Sequence, residues 1–245
     1  MSNGVILWEG ASEIDGAPIV VIATGMAARA SKNAKTGALV QTWILRADVS
    51  PVDAIKSGAD VSICGTCPHR GTIVDGANVG RSCYVTVFQA PLAIWKAYKA
   101  GKYPKAQNLQ GLFAGKRVRL GAYGDPAAAP FDMWAQAMQG AEAHTGYTHA
   151  WRTGDARFSQ YVMASCDTAR DYVDAKAQGW RTFRVRKAGE SLNAREIVCP
   201  ASKEAGERTS CAACVACGGH SAKARVDIAI IAHGTASKVN AFNAR

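Results

Sequence analysis

The chain has 245 residues, 48% of them hydrophobic, and a formal net charge of +10. That length supports one large α/β domain or two small ones with a complete core. No apolar run of about 18 residues is present to span a membrane, and residues 1–10 lack the basic start and apolar run of a secretory signal. A cytoplasmic protein with no membrane partner is expected, and there eight cysteines point to metal or redox chemistry rather than to disulfides.

Residues 18–24 (PIVVIAT) and 39–46 (LVQTWILR) read as strands, each an almost continuous apolar run. The small polar loop between them, residues 25–37, carries Lys32 and Lys35 but not the Gly-Lys-Ser/Thr of a phosphate-binding loop. Residues 52–57 suggest a short helix stopped by Gly58. Residues 58–90 form a cysteine-rich insertion, in which Cys64, Cys67 and Cys83 give Cys-x2-Cys-x15-Cys among glycines and turn residues. Residues 91–100 look helical, with Pro91 in the first turn. Lys96, Lys99, Lys102 and Lys105 recur every third residue, and Lys116, Arg117 and Arg119 follow. With Trp95, Tyr98 and Tyr103 interleaved, residues 96–119 have the basic and aromatic character that suits single-stranded nucleic acid.

The second half alternates. Strands are predicted at residues 117–123, 147–152, 160–166, 180–186, 195–199 and 227–233, with helices after Pro130 and over 168–179. Strands alternating with helices imply βαβ units and a parallel sheet. Residues 1–245 therefore read as a single α/β domain, a partial or complete (β/α) barrel-like parallel sheet with cysteine-rich metal-binding loops; an open doubly wound sheet is the alternative. In such barrels the site lies at the C-terminal strand ends. Those ends are marked by Asp125, His149, Trp151, Cys166, Asp167, Arg184, Cys199 and His233. Asp125, His149 and Arg184 are the candidate catalytic residues lining a substrate pocket.

The second cysteine set, at residues 199–220, comprises Cys199, Cys211, Cys214 and Cys217 in Cys-x11-Cys-x2-Cys-x2-Cys. Three thiols at two-residue intervals with a fourth nearby match the way four thiolates hold an iron–sulfur cluster; a closed zinc site is the rival. The first set is one ligand short. His69 would complete a Cys3His zinc site, Cys166 could reach it from a strand end, and the third option is a three-cysteine [4Fe–4S] cluster with one iron open to substrate or cofactor. The expected cofactors are one or two [4Fe–4S] clusters, or zinc.

Three segments, CGTCPHRG…GRSCY, VRLGAYGDP and VCPAS…CAACVAC, resemble a group of bacteriophage proteins, the phage Gene-product-88 family and its uncharacterised relatives. The resemblance implies a phage-encoded protein acting in the host bacterial cytoplasm and implies no established activity. A more distant likeness is to radical S-adenosylmethionine enzymes, which pair a partial (β/α) barrel with three cysteines on an open cluster and often add a second cluster near the C-terminus. The chain departs from their Cys-x3-Cys-x2-Cys spacing and has no clear Gly-Gly-Glu after a strand. Two functions are therefore expected in competition: a cluster-dependent enzyme, which could use S-adenosylmethionine, and a zinc-stabilised nucleic-acid-binding protein of phage replication.

Overall fold

A computed structural model describes residues 3–27 and 35–245; Lys32 and most of the predicted polar loop lie outside the described residues. The chain folds as a mixed α/β structure around a nine-stranded sheet. Strands β1 (Gly4–Ala11), β2 (Pro18–Thr24) and β3 (Val40–Arg46) form an antiparallel meander. Helices α1 (Pro51–Ser57) and α2 (Val61–Cys64), the small hairpin β4 (Thr72–Val74) and β5 (Ala77–Val79), and helix α3 (Ala90–Lys99) follow. The parallel region contains β6 (Arg117–Tyr123), α4 (Phe131–Ala137), β7 (Ala143–Thr148), β8 (Met163–Cys166), α5 (Ala169–Ala177), β9 (Thr182–Arg186) and β10 (Glu196–Val198). Helix α6 (Cys211–Cys214), strand β11 (Asp227–Ile231) and helix α7 (Ala236–Asn243) complete it. The strand order is β1-β2-β3-β6-β7-β8-β9-β11-β10, and every pairing from β3 onward is parallel.

Local chemistry sets the boundaries. Ser50 Oγ accepts from Asp53 N, Pro51 opens α1, and Gly58 stops it at φ 79°, a left-handed conformation that favours glycine. Thr168 and Asp171 form a reciprocal capping box on α5, each bond 3.0 Å. The predicted strands at 18–24 and 117–123 are present with those bounds. That at 147–152 instead spans Ala143–Thr148, because His149 N donates to the Asp125 carboxylate (2.8 Å) and turns the chain into a short 3-10 helix, Ala150–Arg152. Asp155 caps another 3-10 turn, Ala156–Gln160, so β8 begins only at Met163. Strand β1 and helix α7 were not anticipated from the sequence.

Two apolar clusters flank the sheet. The larger joins the meander, β6 and α4 around Ile22, Leu45, Leu120 and Trp134; the smaller gathers Met163, Cys217, Ile228 and Ile230. On β9 the parity of the strand decides what each residue does. Phe183 and Val185 face a cavity, whereas Arg184 points the other way. Arg184 is 2% exposed and pairs with Glu196, Nε to Oε1 2.8 Å and Nη2 to Oε2 2.8 Å. The guanidinium is thus spent on a buried pair joining β9 to β10, away from the wall where a substrate-binding arginine was expected. Glu196→Ala, which strands Arg184 without its carboxylate, should lower unfolding stability by about 3–5 kcal/mol, read from urea denaturation.

Candidate functional site

One cavity of about 400 Å³ opens over the sheet. Its wall includes Cys64, Cys67 and Cys83 from the first cysteine set and Cys199 and Cys211 from the second. Asp125, His149, His69 and His233 also line it, while Arg184 and Cys166 do not.

The first set is drawn together by backbone hydrogen bonds. Cys67 N donates to Cys64 O (3.1 Å), and both Ser82 N (3.1 Å) and Cys83 N (2.9 Å) donate to His69 O, which folds the long spacer back. The loop is anchored beneath by buried Asp60, whose carboxylate takes Arg70 Nη2 at 2.7 Å. Burial pushes the Cys64 thiol well up, with Cys67, Asp60 and Cys83 adding to it, and burial also raises Cys83. These groups rest as thiols, so a metal that binds them must release their protons.

The second set is assembled from three directions. Cys199 N donates to Ala229 O (2.8 Å), Cys211 N to Lys35 O (2.7 Å), and Cys217 O accepts from Gly146 N (3.0 Å). Ser210 caps α6, so Cys211 and Cys214 share one short turn. Burial pushes Cys217 up to about 12, against a hydrogen bond with the Tyr147 side chain. Burial raises Cys211 as well, opposed by nearby Arg119 and Lys35. Arg119 itself reaches the cavity wall and donates to Tyr84 Oη at 2.8 Å.

Asp125 ties strand ends together. Its Oδ1 accepts from Ala127 N (3.0 Å) and its Oδ2 from His149 N (2.8 Å), while burial pushes its carboxyl up. His149 belongs to a chain of polar groups. Its Nε2 is 3.1 Å from Asp167 Oδ2; Asp167 Oδ1 is 2.5 Å from His69 Nε2; His69 Nδ1 is 2.8 Å from Ser82 Oγ. Burial opposes charge on His149, but Cys67 and Asp167 beside it outweigh burial and push its pKa well above the ordinary value. Burial likewise pulls Asp167 upward, yet hydrogen bonds with His149 and His69 hold it far below the usual carboxylate range. Among the described residues, His69, His149 and Asp167 are the only three metal-ligating groups whose atoms lie mutually within 4.8 Å. His69 is therefore bonded to Asp167 and Ser82, with Phe242 of α7 stacked on its ring at 5.6 Å.

Tyr123 gave no functional signal in the sequence beyond its place in a strand. It is 4% exposed, lines the cavity, and its hydroxyl has no hydrogen-bond partner. Cys166 is buried in the larger core, where its sulfur donates to Ala164 O, out of the cavity wall.

The basic segment at residues 96–119 is not one helical face. Helix α3 ends at Lys99, and Gly101 takes a left-handed turn (φ 66°) before Lys102 and Lys105. Lys105 pairs with Glu9 (2.5 Å) and Arg117 with Glu142 (2.5 Å). Trp95 Nε1 donates to Arg46 O (3.0 Å), Tyr98 Oη to Glu9 Oε1 (2.7 Å), and both rings pack on the core, as does Tyr103. Among the described residues no helix is long and apolar enough to cross a membrane.

Comparison with family models finds no match, and comparisons with curated proteins and with solved structures find none either.

Two outcomes are expected from this geometry. The raised His149 pKa adds stability that is complete below about pH 6.5 and is lost as pH rises through the folded value; the lowered Asp167 pKa adds stability above about pH 3.9 that is lost on acidification. Asp167→Asn should remove the acid limb of the stability–pH curve and reduce the alkaline one, which Cys67 beside His149 also sustains, as followed by urea midpoints across the range. Tyr123→Phe removes a buried hydroxyl that bonds nothing, so its stability should stay within about 1 kcal/mol of wild type or rise, as read by thermal melting.

Proposed function

We propose that this chain is a cluster-dependent redox enzyme whose substrate occupies the cavity between two thiolate centres. The observation that carries the reading is the placement of members of both cysteine sets, from opposite halves of the sequence, in the wall of one cavity. Cys64, Cys67 and Cys83 would hold the reactive centre, and Cys199, Cys211, Cys214 and Cys217 an electron-carrying one.

The donor sets favour iron–sulfur over a lone zinc. Cys211, Cys214 and Cys217 fall at two-residue intervals with Cys199 nearby, the pattern in which four thiolates hold a cluster, whereas zinc ligands more often come as two separated Cys-x2-Cys pairs. The first set offers three thiols, so one iron of a cluster held there would be left open. Bound there, an iron–sulfur cluster supplies one-electron chemistry at an iron with an open coordination position.

The chain's own groups then have definite tasks. His149 and Tyr123 present polar atoms to whatever lies beside the first set. Tyr147, Phe183, Val185 and Ile230 exclude water along the sheet. The mostly parallel sheet, if read as an incomplete barrel with its site at the strand ends, supports the distant likeness to radical S-adenosylmethionine enzymes, and S-adenosylmethionine is the cofactor this reading would place at the open iron. The phage-protein resemblance would place this activity in a host bacterium's cytoplasm.

After anaerobic reconstitution with iron and sulfide, the full chain should be brown, hold about four irons for each cysteine set, and bleach with dithionite. Cys64→Ser and Cys199→Ser should each remove one set's share of the iron. A colourless protein that retains stoichiometric zinc would overturn the reading.

A further inference from the structure

The cluster centres use thiols, and they leave a second kind of donor set unexplained. His69, His149 and Asp167 come from three separate parts of the chain: the first cysteine loop, the end of β7 and the end of β8. Their ligating atoms lie mutually within 4.8 Å. All three are partly buried, and both histidines stand in the cavity wall.

We propose that His69, His149 and Asp167 form a divalent-metal site of the two-histidine, one-carboxylate type, taking Fe(II) or Mn(II). Three observations support it. The donors are two imidazole nitrogens and a carboxylate, the set that suits non-haem iron and manganese rather than the soft metals that thiolates select. His69 also carries a second bond that fixes its ring, Nδ1 to Ser82 Oγ at 2.8 Å. Outer bonds of this kind orient histidines that ligate metals. The carboxylate is steered as well, since Asp167 N donates to Asp171 Oδ2 at 3.0 Å within the cap of α5. Three protein ligands leave coordination positions for water or substrate, and the neighbouring 400 Å³ cavity gives that substrate room.

His149 stands beside Cys67, but the donor types of the two sites differ, so they can be tested separately. Mn(II) is the probe, because thiolates compete poorly for it. Titration of the metal-stripped full chain, followed by the loss of the free Mn(II) electron paramagnetic resonance signal, should show one bound ion per chain. Asp167→Asn and His69→Gln should weaken binding by well over about tenfold, and Ser82→Ala, which touches only the outer nitrogen of His69, by about tenfold. Cys64→Ser and Cys199→Ser should leave the Mn(II) affinity within about twofold while abolishing their share of cluster iron, which separates failure of this site from failure of the cluster reading. Circular dichroism checks that each variant is folded; if Asp167→Asn is not, His69→Gln and Ser82→Ala decide. Absence of Mn(II) binding, equal affinity in the folded histidine and serine variants, or loss of binding in the cysteine variants would each overturn the proposal.

Discussion

The direction of the parallel strands is the constraint on which the rest of this molecule depends. From β3 onward every neighbour runs the same way, so the loops that leave the strands all leave on one side. The first cysteine loop follows β3, Asp125 follows β6, His149 follows β7, Asp167 follows β8, Cys199 follows β10 and His233 follows β11. Residues far apart in sequence become neighbours because strand polarity leaves them nowhere else to go. The antiparallel meander at the other edge supplies core, with Ile19, Val20, Val21 and Ile22 fully buried.

The two ends of the cavity differ electrostatically. Near the first set stand Asp60 and Asp125, which make a thiolate at Cys64 harder to form. Near the second set stand Arg119 and Lys35, which make one at Cys211 easier. A centre built on the second set would have its negative charge offset by fixed cations. One on the first set would depend on the imidazole of His149 beside Cys67.

Much of this could be read in the sequence, for identifiable reasons. Continuous apolar runs such as residues 18–24 are bounded sharply, and the structure reproduces them. Strand ends pick out Asp125, His149 and Asp167 because parallel topology fixes where ends go. Arg184 misleads because a shift of one residue along a strand exchanges the two faces, and only the carboxylate of Glu196 reveals which face it serves. The bond from His69 to Asp167 spans 98 residues and has no local signature. The lysine ladder of residues 96–105 has the spacing of a helix, yet Gly101 ends the helix midway through it. Tyr123 looks like any strand tyrosine until its hydroxyl is seen to lack a partner inside a cavity.

The cavity wall draws on residues from Lys35 to Phe242. A ribosome delivers these in order, so the thiols of Cys64, Cys67 and Cys83 emerge long before β11 and α7 exist to enclose them. During that interval the first set is open to oxidants and to stray soft metals, and the stacking of Phe242 on His69 is among the last contacts to form. Until α7 packs, the cavity wall is incomplete at Phe242.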